Sequence, residues 1–133
     1  MIHGHCECGR VRYEVDAPID DFSHCHCSQC RRLHGAAFAT FAGVAADQFR
    51  YISGESETRA YASSESHQRV FCSLCGSNIL VVLDDEPESL YLSMSAVEGD
   101  PPRPAGYHIY VASKAAWYEI NDDLAQYETE PPE

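Results

Sequence analysis

A chain of 133 residues with 44% hydrophobic content has the size of one domain and enough apolar material for a modest core. Its formal charge of −12, from 21 acidic and 9 basic side chains, repels phosphate backbones and anionic lipid, so nucleic acid is not an expected partner. The longest apolar run, Ile79 to Leu83, has the length of a strand and falls far short of the roughly 20 residues a membrane-spanning helix needs, so no membrane association is expected.

Met1-Ile2-His3-Gly4 runs directly into Cys6 and Cys8, leaving no room for the basic segment, apolar segment and cleavage site of an export signal. A cytoplasmic location is the expectation. Arg10 to Asp16 alternates, with Val11, Tyr13 and Val15 on one face and charged residues on the other, as in a half-buried strand. The run Ser28 to His34 predicts a short helix carrying Cys30 and capped by Gly35. Further strands are predicted at Ala37–Ala42, Gln48–Ile52, Thr58–Ala62, Arg69–Cys72, Asn78–Leu83, Leu90–Met94 and Tyr107–Val111. Asp100-Pro101-Pro102-Arg103-Pro104 reads as an extended connection to the last strand. Short strands at this spacing predict a mainly β domain of two packed antiparallel sheets with very little helix, spanning residues 1–127, and residues 128–133 read as a solvated acidic tail. Trp117, Phe38, Phe41, Phe71 and Tyr110 are expected in the core or in a pocket wall.

Seven cysteines, an odd number, are packed as Cys6-Glu7-Cys8, Cys25-His26-Cys27-Ser28-Gln29-Cys30 and Cys72-Ser73-Leu74-Cys75, which favours metal ligation over a disulfide scaffold. In an extended strand residues i and i+2 share a face, so Cys6/Cys8 and Cys25/Cys27 can each present two sulfurs to one ion, while His24 and His26 point the other way. Cys72-Ser73-Leu74-Cys75-Gly76 has the form of a zinc knuckle, its turn closed by a left-handed Gly76. One Cys-x-Cys and one Cys-x-x-Cys supply a closed tetrahedral site, so Cys6, Cys8, Cys72 and Cys75 are assigned to one Zn²⁺ and Cys25, Cys27 and Cys30 to a second. Spacing alone does not force this partition. Cys6/Cys8 could pair with Cys25/Cys27 instead, and His5 or His26 could complete a four-ligand site. Loading two zinc ions onto seven thiolates would take the charge from −12 to −15.

The segments Gly4-His5-Cys6-Glu7-Cys8-Gly9-Arg10, His24-Cys25-His26-Cys27-Ser28-Gln29-Cys30-Arg31 and Phe71-Cys72-Ser73-Leu74-Cys75-Gly76, in this order, resemble the glutathione-dependent formaldehyde-activating (GFA) family, and Tyr107–Val111 with Ser113–Trp117 and Asp122-Asp123-Leu124 resemble its C-terminal pattern. The resemblance covers nearly the whole chain. It implies a β-tent fold, a structural zinc on Cys6, Cys8, Cys72 and Cys75, and a second zinc on Cys25, Cys27 and Cys30. It also implies addition of glutathione thiol to formaldehyde, formally a carbon–sulfur lyase reaction.

Three protein ligands leave a fourth position for substrate, the catalytic arrangement, and three thiolates favour a soft incoming thiol over an activated water. The expected partners are therefore a small thiol such as glutathione and a small aldehyde. His34 and His108 are the candidates for delivering a proton to the new alkoxide, and Arg31, Arg32 and Lys114 for binding the carboxylates of the thiol. The competing reading is a noncatalytic zinc module that mediates protein interaction.

Overall fold

A computed structural model describes residues 1–132. Among the described residues, eleven strands build a small sheet and a large one, accompanied by one α-helix. The small sheet joins β1 (Ile2–His5), β2 (Arg12–Val15) and β5 (Phe49–Ser53) in the order β1-β2-β5, all antiparallel. The large sheet adds β3 (Asp21–Cys25), β4 (Ala39–Ala45), β6 (Thr58–Ala62), β7 (His67–Cys72), β8 (Asn78–Leu83), β9 (Ser89–Ser93), β10 (Tyr107–Ile109) and β11 (Ala125–Gln126), in the order β11-β10-β3-β4-β9-β8-β7-β6. The mainly β, two-sheet architecture expected of a β-tent is what forms.

The predicted alternation sets β2: Tyr13 and Val15 are buried while Arg12 is exposed. Tyr13 lies opposite Gly4 of β1, and its ring covers that glycine so closely that a Cβ there would sit 2.2 Å from the ring. Glycine is therefore a packing requirement at position 4. Ala42 and Val44 of β4 bury against this small-sheet core with Ile79 and Leu92, whereas Ala39 and Phe41, on the opposite face of the same strand, join a second core with Val81 and Ile109. Each large side chain so buried contributes about 2 kcal/mol.

Several expectations need correction. The sheets are not wholly antiparallel, because β10 runs parallel to both β3 and β11. Parallel neighbours require a long connection: residues 110–124 link β10 to β11, and the proline-bearing stretch 97–106 carries the chain from β9 past β4 and β3 to β10, pinned to β1 by Glu98 N–H donating to His3 C=O at 2.8 Å. The extended chain expected at Cys25–Cys27 forms β3 only as far as Cys25, the strand expected at Cys6–Cys8 lies earlier, at Ile2–His5, and β11 is not among the predicted strands. Trp117 is 73% exposed rather than buried: it stands on a tight turn in which Tyr118 N–H donates to Ala115 C=O, so that Ala115 points inward and the indole outward. Of the 128–133 segment, residues 128–130 and 132 are exposed and Pro131 is half-buried, and Glu128 and Thr129 are tied down, their carbonyls accepting from Ala112 and Tyr110 N–H at 3.3 and 3.1 Å.

Candidate functional site

The seven thiols gather into two groups, Cys6/Cys8/Cys72/Cys75 and Cys25/Cys27/Cys30, in each of which all sulfurs lie within 4.8 Å of one another. Each group grows out of a different core, Cys6 and Cys72 in the first, Cys25 and Cys30 in the second.

In the four-thiol group Cys6 and Cys8 lie not on a strand but on the turn that leaves β1, with Gly9 N–H donating to Cys6 C=O. The turn itself, rather than an extended strand, brings the buried Cys6 sulfur and the exposed Cys8 sulfur to 3.5 Å of each other. Cys72 ends β7 and Cys75 follows on a turn closed by Gly76, whose φ of +81° is left-handed and whose N–H donates to Cys72 C=O. Cys8 and Cys72 sulfurs are 3.9 Å apart across 64 residues of sequence. Four sulfurs about 2.3 Å from a tetrahedral ion stand about 3.8 Å from each other, so this donor set fits zinc. Ser77 braces the pair of turns, its hydroxyl accepting from Glu7 N–H at 2.9 Å.

In the three-thiol group Cys25 ends β3, and Cys27 is the N-cap of α1 (Ser28–His34), its sulfur accepting from Cys30 N–H at 3.3 Å. The left-handed Gly35 closes the helix as expected. Hydrogen bonding from the Cys25 thiol draws the Cys27 thiol down, and the same bond pushes Cys25 up. A sulfur at a helix N-cap is also stabilised as an anion by the unpaired N–H groups of the first turn. Cys25 and Cys30 are buried and Cys27 is half-buried, so Cys27 is the member nearest solvent.

Neither His5 nor His26 enters either group. His26, buried between two cysteines, turns its ring to the other side of the chain, where its Nε2 meets His108 Nδ1 at 2.8 Å. His108 Nε2 in turn meets Asp122 Oδ2 at 2.9 Å. Phe38 packs against His24 and His26, with ring centroids 5.1 and 4.9 Å apart. Burial, then the neighbouring His108, lowers the pKa of His26 to about 4. Tyr110, next to this array, holds a left-handed φ of +56°, a strained geometry for a non-glycine residue beside the cysteine loop.

The sequence profile described as "Glutathione-dependent formaldehyde-activating enzyme" matches residues 1–113, which include all seven cysteines. The chain belongs to the GFA family. A Halomonas elongata protein described as "Putative glutathione-dependent formaldehyde-activating enzyme" is 32% identical over 128 residues, covering 90% of this chain and 81% of that protein. An uncharacterised lyase of Schizosaccharomyces pombe is 29% identical over 76 residues, 57% of this chain and 53% of its own length. The crystal structure of a Rhodobacter sphaeroides protein superimposes with a TM-score of 0.63 at 27% identity, covering 75% of this chain and 91% of that one. No described helix is long and apolar enough to cross a membrane.

Within this GFA chain the other expected site residues are dispersed. His34, at the end of α1, has its pKa lowered to about 4 by burial and then by Arg69. His108 has both ring nitrogens engaged and reaches the cysteine loop only through His26. The Lys114 ammonium is held by the backbone carbonyls of Ala115 and Tyr118, at 3.1 and 2.5 Å. Arg32 is exposed, while Arg31 is half-buried with its Nε lacking a partner. Two cavities, of about 500 Å³ beside Lys114 and Trp117 and about 640 Å³ beside His24 and Arg103, are walled by residues other than the cysteines.

Sequence reasoning missed Arg69. Its guanidinium is buried and donates from both terminal nitrogens to Cys30 Sγ, each at 3.6 Å. The available signal was a charge that opens the apolar run Val70-Phe71-Cys72 of β7, paired with the buried run of β8.

Proposed function

We propose that the protein is a zinc-dependent carbon–sulfur lyase of the GFA type, which adds a small thiol, glutathione or a relative of it, to a small aldehyde such as formaldehyde and reverses that addition. The observation that carries this reading is the group of exactly three converging thiols at Cys25, Cys27 and Cys30, with His26 turned away from it. A dication held there would keep an incoming thiol ionised beside the aldehyde, since three ligands leave one position for substrate. The four-thiol group, Cys6, Cys8, Cys72 and Cys75, has the closed form of a structural zinc site and ties the β1 turn to the β7 turn.

In the addition, the thiolate sulfur forms a bond to the aldehyde carbon, the C=O π electrons pass to oxygen, and the alkoxide takes up one proton. His34 is our candidate for handling that proton. Its ring is neutral at pH 7, and it stands near Cys27 and Arg69 on the helix that carries Cys30. Arg31 and Arg32, on the same helix, are the candidates for binding carboxylates of the thiol, whereas Lys114 would first have to leave its two carbonyls. His108 acts through His26 by fixing its ring. Seven free thiols suit a reducing compartment, and we place the protein in the cytoplasm.

A second reading, a noncatalytic zinc module that binds another protein, draws on the absence of the three cysteines from the walls of both cavities. One experiment separates the two. Protein purified without chelator should contain two zinc ions per chain, and cobalt placed in the three-thiol site should change its visible spectrum when glutathione is titrated in. Cys27→Ser should remain folded and lose both this response and lyase activity. A metal-loaded site whose spectrum ignores several small thiols would leave the noncatalytic module.

A further inference from the structure

Arg69 poses an electrostatic problem that the proposed chemistry resolves. It is 6% exposed, on β7, opposite Val81 of β8, whose side chain belongs to the same core as Cys25 and Cys30. Among the described residues it has no carboxylate partner. Its Nε donates to Ser63 Oγ at 2.9 Å, and both terminal nitrogens converge on the single sulfur of Cys30. Burying a guanidinium without an anion costs several kcal/mol, and a hydroxyl does not offset that cost. The anion must be the sulfur.

We propose that Arg69 is the fixed counter-charge and positioning residue of the three-thiol site. This rests on the reading of Cys25, Cys27 and Cys30 as metal ligands. Three thiolates and one dication leave a single negative charge, and one guanidinium cancels it. A thiolate substrate approaching a protein of charge −12 then meets a neutral centre rather than a repelling one. The fork of two N–H donors also fixes where the Cys30 sulfur lies and withdraws electron density from it, so that this ligand donates less to the ion. Ser63, the first residue after β6, accepts from the Nε–H and sets the angle of the fork. Arg31 and Arg32 do not substitute for it, because neither donates to a cysteine sulfur.

The test uses the cobalt-loaded full chain and reads the sulfur-to-metal absorption band and the metal affinity, neither of which depends on turnover. Arg69→Met should move the band to lower energy, because an unbonded thiolate is easier to oxidise, and should weaken metal binding at this site by about 10- to 100-fold. Arg69→Lys keeps the charge and loses the fork, so it should recover most of the affinity while the band stays shifted. Ser63→Ala, which leaves the charge in place, should shift the band less than either. If Arg69→Met does not fold, Arg69→Lys and Ser63→Ala still decide the matter. A wild-type band and affinity in Arg69→Met, or a wild-type band in Arg69→Lys, would overturn the proposal. Failure of the lyase reading would show separately, as a wild-type cobalt site that ignores added thiols.

Discussion

His26 and His108, 82 residues apart in sequence, join their rings through a hydrogen bond of 2.8 Å, Nε2 to Nδ1. Asp122 orients the His108 ring from the other side. Its carboxylate, held ionised by the hydrogen bond from His108, can only accept, so His108 carries a proton on Nε2. His26 Nδ1 is buried without a partner, which suits a bare nitrogen better than an unsatisfied N–H, so the expected arrangement has His26 donating from Nε2 to His108 Nδ1.

Asp122→Asn should release this order. Nitrogen-15 spectra of the wild-type imidazoles should show the Nε2–H tautomer for both His26 and His108, and the variant should show mixed tautomers with reduced activity. An unchanged spectrum in Asp122→Asn would mean that the carboxylate does not direct the chain.

The four-thiol group should govern stability. Cys72 is fully buried at the junction of two turns that the sequence separates by more than sixty residues, so Cys72→Ser removes a crosslink as well as a ligand. The expected result is a loss of about 3 kcal/mol or more, with failure to fold at 37 °C, followed by thermal melting and metal content. Chelator treatment of the wild type should reproduce the loss, and added zinc should reverse it.

Acid should destabilise the fold through His34. Its pKa is about 4 in the folded state against 6.5 for an ordinary histidine, so the unfolded chain binds the proton more readily between those values. Stability from this group is complete above about pH 6.5 and is lost as pH falls toward 4. Urea unfolding at pH 7 and pH 5 should show the wild type losing about 1 kcal/mol more than His34→Gln, a figure reduced for the partly exposed ring. Parallel losses in the two proteins would remove His34 from the acid response.

Tyr13→Phe should leave stability unchanged or raise it. The hydroxyl of Tyr13 is buried without a hydrogen-bond partner over Gly4, so deleting it removes a desolvation cost of about 1 kcal/mol and keeps the ring packing. Gly4→Ala, by contrast, forces a methyl group into that ring and should cost about 2 kcal/mol. Denaturation midpoints of the two variants should therefore move in opposite directions, or Tyr13→Phe not at all.

What the sequence determined by itself was local: the knuckle at Cys72–Cys75 with its left-handed Gly76, the helix Ser28–His34 with Cys30 on it and Gly35 after it, and the alternation that buries Tyr13 and Val15. Each of these depends on interactions within a few residues, which composition and spacing record. The division of seven thiols into four and three was compatible with the spacing but not imposed by it. Only the tertiary structure brings Cys8 to Cys72 and sends the His26 ring away from the thiols to His108. Arg69 was illegible for the same reason. Its partner Cys30 lies 39 residues away on another element, and nothing in β7 itself says that a charge there will find a sulfur rather than water. The parallel placement of β10 beside β3 brings His108 level with His24 and sets Ile109 against Cys25. That placement belongs to the crossover, whose path is set by which edge of the sheet remains unpaired once the rest of the chain has folded.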